Sequence, residues 1–209
     1  MERLDGQNGA GIPFANPLAL GVGSPIQIAH ANGPEFAEYV FSVQEIREYT
    51  RRIGANEFRF TDYVLRGLNT NSFAAGDAMT ARLRAVPNEN GGNDRLLLRL
   101  YDEFAFAEEF LGVVNDTTGT FEVTDDESQT THKFQRINAL RTPYEAAVLV
   151  VSTTTPNGKA ASGKTSALKL EYWDYWRDLT PGAGKEFVFV EQNLETGWFQ
   201  IWRGQEFYQ

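Results

Sequence analysis

Apolar and polar residues change places every second position along much of this chain, the pattern of strands that bury one face. The run AMTARLRAV, residues 78–86, is the clearest case. Met79, Ala81, Leu83 and Ala85 fall on one side and Thr80, Arg82 and Arg84 on the other. The first set is expected to face the core and the arginines to face solvent. PNENGGND then supplies a loop and RLLLRLYDEF a returning strand, which predicts a hairpin. Just before it, EFRFTDYVLR puts Phe58 and Phe60 on one face. Further on, TFEVTDD and the β-branched end of KFQRINALRTPYEAAVLVVSTTT read as strands separated by the polar loop DDESQTTH. FAFAEEFLGVV fits either a strand or a short helix.

The segment 34–53 follows another period. Phe36, Tyr39, Val40, Val43 and Ile46 recur at helical spacing, and Pro34 and Glu35 suit a first turn. Arg47, Arg51 and Arg52 gather where cations favour a helix C-terminus, and Gly54 suits a cap. An α-helix is therefore expected over about residues 34–53, its arginines facing solvent or neighbouring carboxylates.

All four tryptophans lie between Ala167 and Tyr208. ALKLEYWDYWR fits both helical and strand periods, whereas KEFVFVEQ and WFQIWRGQEFY alternate, with Phe187 and Phe189 on one face and Trp198 and Trp202 on another. The segment reads as an antiparallel meander on which earlier strands pack. One helix with eight or nine short strands predicts a mainly β fold, an antiparallel sandwich or barrel with an N-terminal-side helix.

Residues 1–33 form a separate unit by composition, an extended arm ahead of a body at 34–209. No Lys, Arg, Asp or Glu occurs from Gly6 to Pro34, while Ile12, Phe14, Leu18, Leu20, Val22, Ile26 and Ile28 are scattered through it without helical period. Such a segment is poorly soluble alone, so it is expected to lie along a surface, its own or a neighbouring subunit's. SPIQIAHA has the alternation of a strand that adds to a sheet edge.

Composition narrows the function classes. The formal net charge of -9 argues against a phosphate-backbone partner. The absence of cysteine excludes disulfides, thiolate catalysis and cysteine-based zinc sites. No apolar run approaches the roughly 20 residues of a membrane helix. The start, MERLDGQNGAGIPF, lacks a basic region and an apolar core, so a soluble protein without an export signal is expected.

Gly158, Lys159, Ala160, Ala161, Ser162, Gly163, Lys164 and Thr165 match the phosphate-binding pattern G-x-x-x-x-G-K-[ST]. A phosphate-binding domain needs a parallel sheet with helical crossovers. The strands before the motif come in hairpins, and only 44 residues follow it. The same letters also compose an ordinary polar hairpin loop. His30 and His132 lie in an arm and a loop, and the carboxylate pairs Asp102 with Glu103, Glu108 with Glu109 and Glu171 with Asp174 read as surface acid.

No catalytic residue, cofactor or metal ligand is therefore assigned. The leading expectation is a non-enzymatic structural protein of a symmetric multi-subunit particle, in the manner of virion connectors, tail proteins or capsid-stabilising proteins. It would form homo-oligomers, with Ile12, Phe14, Leu18, Leu20, Ile26, Ile28, Trp198 and Trp202 at the interfaces. The alternatives are a carbohydrate-binding sandwich, with Trp198 and Trp202 as stacking platforms for sugar rings, and a nucleotide-binding enzyme using the 158–165 motif.

Overall fold

The computed structural model describes residues 2–5, 20–29, 34–53, 56–69, 78–86, 97–103, 119–124, 128–137, 144–152, 164–179 and 184–208. They form twelve strands. β1 (Glu2–Asp5) and β2 (Pro25–Ala29) precede a single 3-10 turn, Pro34–Glu38. There follow β3 (Tyr39–Ile53), β4 (Asn56–Asn69), β5 (Ala78–Val86), β6 (Leu97–Glu103), β7 (Thr120–Thr124) and β8 (Thr131–Arg136). β9 (Tyr144–Ser152), β10 (Lys164–Asp178), β11 (Lys185–Asn193) and β12 (Phe199–Tyr208) complete the set.

The expected α-helix over 34–53 is not formed: a 3-10 turn leads directly into the 15 residues of β3. The reason lies in a β-bulge. The register of β3 against β4 slips between Val43 and Glu45, so one extra residue is inserted. Phe41 and Val43 share a buried outer face before the slip, and Ile46 takes the same face after it. The bulge turns a spacing of two into a spacing of three, which imitates a helix.

The sheet is antiparallel, apart from the β1–β2 pair, and strongly curled. Its ladder runs β3–β4–β5–β6–β12–β11–β10, and β9 pairs with β10 on one side and β3 on the other. Eight strands thus return to their start, and a ring of this size encloses a space that side chains can fill. Side chains from strands that share no ladder meet inside it. Tyr49 of β3 lies edge-on to Phe189 of β11, and Phe60 of β4 edge-on to Tyr172 of β10. The lumen core is Tyr49, Phe60, Tyr101, Ala146, Val148, Val150, Leu170, Tyr172, Phe187, Phe189 and Trp202.

β3 and β10 are each 15 residues long, whereas β9 between them has nine. Their unpaired ends recruit two flaps at opposite ends of β9. β2 pairs with β3 at Val40–Ser42, beyond the Glu45–Ser152 pair. β8 pairs with β10 at Tyr175 and Trp176, beyond the Tyr172–Tyr144 pair.

Each flap covers an outer face of the ring. Leu20, Ile26, Ile28 and Phe36 pack on Phe41, Val43, Tyr63, Leu65, Ala81, Leu83 and Ala85. The β7–β8 hairpin lays Phe134, with Val123 beside it, on Trp173, Tyr175, Val188, Val190 and Ile201. Gly67 is required under the first flap: a Cβ there would sit 2.7 Å from the Phe41 ring. Among the described residues no helix is long and apolar enough to cross a membrane.

Candidate functional site

The hairpin of β5 and β6 forms as expected, and Ala81, Leu83 and Ala85 are buried in an apolar core as expected, but Arg82 and Arg84 do not face solvent. Ala81, Leu83 and Ala85 point outward beneath the N-terminal flap, and Arg82 and Arg84 point into the lumen, 0% and 1% exposed. Buried cations at such positions demand paired carboxylates. The ring supplies them: Asp62 from β4, Asp174 from β10, Glu191 from β11 and Glu206 from β12 are all buried.

Arg84 donates from Nε to Asp62 Oδ1 at 2.7 Å and from Nη2 to Oδ2 at 2.9 Å, the two-pronged fit of a guanidinium on a carboxylate. Its charge also lies over the Phe189 ring, 3.7 Å from the centroid, and over Phe60 at 4.4 Å. Arg82 donates from Nη2 to Glu191 Oε1 at 2.7 Å and lies 4.2 Å above the Trp202 ring. Glu191 accepts as well from Arg47 Nη1 and from the Tyr49 hydroxyl, each at 2.7 Å. Arg99 reaches Glu206 at 3.3 Å and covers the Phe187 ring at 4.0 Å.

This arrangement fixes protonation states. Burial alone would raise the Glu191 carboxyl. Arg82 and Arg47, with hydrogen bonds from Arg82 and Tyr49, outweigh burial and hold it at about 2. Burial pushes the Tyr49 phenol up, and neighbouring Glu191 pushes it further, so the phenol stays protonated. The guanidinium of Arg47 is desolvated, yet Glu191, and Glu45 beside it, keep it charged, its pKa above the ordinary value. At neutral pH, then, Glu191, Tyr49 and Arg47 hold fixed charges and neutral donors with no proton poised for transfer, which suits a lock across the ring rather than a general acid or base.

The interface residues named from sequence separate into four groups. Leu20, Ile26 and Ile28 are buried in their own chain, at 7%, 0% and 0% exposure, because β2 has added to its own sheet. Trp202 is 1% exposed inside the lumen, which removes it as a solvent-facing sugar platform. Trp198, by contrast, is 54% exposed. Ile12, Phe14 and Leu18 lie outside the described residues.

Trp198 stands at the end of a well-braced turn between β11 and β12. The Asn193 side-chain oxygen accepts from Glu195 N at 2.8 Å and Thr196 N at 3.1 Å. Asn193 N donates to Trp198 O at 2.8 Å, and Gly197 N donates to Asn193 O at the same distance. Gly197 has φ of 72°, a left-handed conformation that favours glycine. Leu194, 47% exposed, is tied by its N–H to Lys169 O at 3.0 Å. Sequence reasoning missed Leu194; its signal was the turn NLETG itself, which places a large apolar residue where solvent is unavoidable.

The phosphate-loop reading loses its structural context. In such a loop the residues after G-K-[ST] open a helix whose N-terminus faces the phosphates. Here Lys164 and Thr165 open β10, which pairs antiparallel with β9 from Lys164–Ser152 onward. Residues 153–163, which hold most of the motif, lie outside the described residues, as does His30. Of the acid pairs, Asp174 is drawn inside, with Arg84 Nη1 3.4 Å from its carboxylate.

A crevice of about 220 Å³ opens where β8 and β10 part company, lined by Thr131, His132, Lys133 and Gln135 from β8 and by Trp176, Arg177 and Asp178 from β10. The ladder between the two strands has only the pairs Tyr175–Arg136 and Trp176–Gln135, and beyond them the strands diverge. The Lys185 ammonium lies 3.8 Å from the centroid of the Trp176 ring. No family model, curated protein sequence or solved structure compared with the chain matches it.

Proposed function

We propose that the protein is a non-enzymatic structural component of a symmetric assembly of its own copies, of the kind that builds a virion. The observation that carries this reading is the braced turn that holds Leu194 and Trp198 in solvent, 47% and 54% exposed. Tryptophan is enriched among the residues that dominate binding at interfaces, and a preordered turn loses little freedom on association. A lumen locked by fixed charges supports the same reading, since it makes a stiff block. The uncharged arm supports it too, because Ile12, Phe14 and Leu18 need an apolar surface to cover them.

Part of the arm serves its own body, so the contact between copies is assigned to the turn and to the arm ahead of Leu20. Light scattering at increasing concentration is expected to show a defined oligomer for the wild type. The double substitution Leu194→Ser, Trp198→Ala is expected to dissociate it without loss of folded structure, since neither side chain is buried. A monomeric wild type at every concentration, or an oligomer indifferent to both changes, would contradict the proposal.

A further inference from the structure

The crevice between β8 and β10 is separate from the Trp198 turn, and it joins an indole to a set of short polar side chains. Thr131, Gln135 and Asp178 offer a hydroxyl, an amide and a carboxylate around Trp176. Its volume of about 220 Å³ is below the roughly 300–1,000 Å³ of pockets that enclose drug-sized ligands, so it suits one ring with its substituents.

The charges of the wall favour a neutral occupant. Arg177 is engaged through Nε by Glu186, and Lys133 lies 3.9 Å from Glu122. Lys185 is placed over the Trp176 ring and opposite Asp178 in the β10–β11 ladder. The two cations of the wall, and Lys185 behind Trp176, thus have carboxylates or an aromatic ring beside them, and Asp178 would repel an anion entering beside it. What remains is a half-buried aromatic surface with donors and acceptors around it, the combination that meets both the C–H face and the hydroxyl edge of a sugar ring.

We propose that this crevice binds a single neutral pyranose unit, with its ring against Trp176 and its hydroxyls hydrogen-bonded to Gln135 and Asp178. The proposal does not depend on the assembly reading: a monomer would bind sugar equally well. A ligand of this size making one ring contact and a few hydrogen bonds is expected to bind in about the millimolar range.

Saturation-transfer NMR on the full chain, with the methyl glycosides of glucose, galactose and mannose as probes and glucuronic acid and glucose 1-phosphate as anionic controls, tests it. Transfer to the ring protons of at least one neutral glycoside is expected at about 10 mM. Gln135→Ala and Asp178→Ala, both at exposed positions and so compatible with folding, are expected to weaken that binding by about fivefold or more, one lost hydrogen bond being about 1 kcal/mol. Trp176→Ala is expected to abolish the signal, and circular dichroism of the same sample separates lost binding from lost fold. No transfer to any neutral probe, transfer unchanged in both polar variants, or binding of the anionic controls alone would overturn the proposal.

Discussion

The face of β5 under the N-terminal flap and the face that lines the lumen are buried alike, yet one is Ala81, Leu83 and Ala85 and the other Arg82 and Arg84. The outer face is held by area: apolar side chains removed from water gain roughly 25 cal/mol per Å², with few demands on geometry. The inner face is held by matching. Each guanidinium there has a carboxylate at hydrogen-bond range and an aromatic ring beneath it. Such pairs add little net stability over a hydrophobic filling, but they are costly to break singly, because the charge left behind has no water. The comparison teaches that burial and hydrophobicity are separable in this barrel. The apolar residues of β5 mark where the flap lies, and its arginines mark the true inside.

The comparison can be broken at several points, and the sizes of the effects rank them. Arg84→Ala should be the most damaging, about 3–5 kcal/mol by urea unfolding, since it removes both short bonds of Asp62, buried at 0% exposure, and leaves it only Arg82 Nη1 at 3.4 Å. A loss of less than about 0.5 kcal/mol would put this arginine on the surface. On the outer face, Leu83→Ala and Ile26→Ala should each cost about 2–4 kcal/mol, the usual range for a cavity in an apolar core. Removal of residues 1–33 should then destabilise the body rather than leave it intact. Leu20, Ile26 and Ile28 leave with it, so calorimetry should show a markedly lower midpoint or no transition at all.

Acid sharpens the distinction further. Glu191 has its carboxyl lowered from 4.5 to about 2, so the stability it contributes is present in full above about pH 4.5 and is lost as the pH falls towards 2. That contribution is about 3 kcal/mol, and Glu191→Gln should remove most of it, leaving a shallower dependence of unfolding free energy on pH between 5 and 2. An unchanged slope in the variant would mean that Glu191 does not meet Arg82 and Arg47. The smallest effect belongs to the overpacked site: Gly67→Ala should cost about 1–3 kcal/mol through its approach to Phe41, and Phe41→Leu should recover part of that loss in the double variant.

Much of the architecture was legible in the sequence. The hairpin of β5 and β6, the final meander of β10, β11 and β12, and the addition of SPIQIAHA to a sheet edge follow from period two and from turn residues. Two features were not. The helix over 34–53 was an artefact of the bulge in β3, since an inserted residue changes the period without changing the composition. The arginines of β5 were not legible as buried because alternation identifies two faces and cannot say that both are enclosed; that depends on the carboxylates of Asp62 on the neighbouring strand and of Glu191, far away in the chain. For the same reason Arg47, which looked like a helix-end cation, lies on Glu191. The crevice was invisible because it arises where two strands diverge, a property of pairing length and not of residue type. Trp198 was legible as a candidate, but nothing in WFQIW distinguishes it from Trp202; Trp198 falls in the turn ahead of β12 and is exposed, whereas Trp202 lies within the strand and faces the lumen.

A double-mutant cycle at Arg82 and Glu191, read by urea unfolding, tests the enclosed charge network most directly. Each single change to alanine is expected to cost about 3–5 kcal/mol. The pair together should cost less than the sum by about 1–3 kcal/mol, because removing both partners leaves neither of the two unmatched, while Arg47 keeps Glu45. Single losses below about 0.5 kcal/mol with no coupling would place Arg82 in solvent and contradict the account.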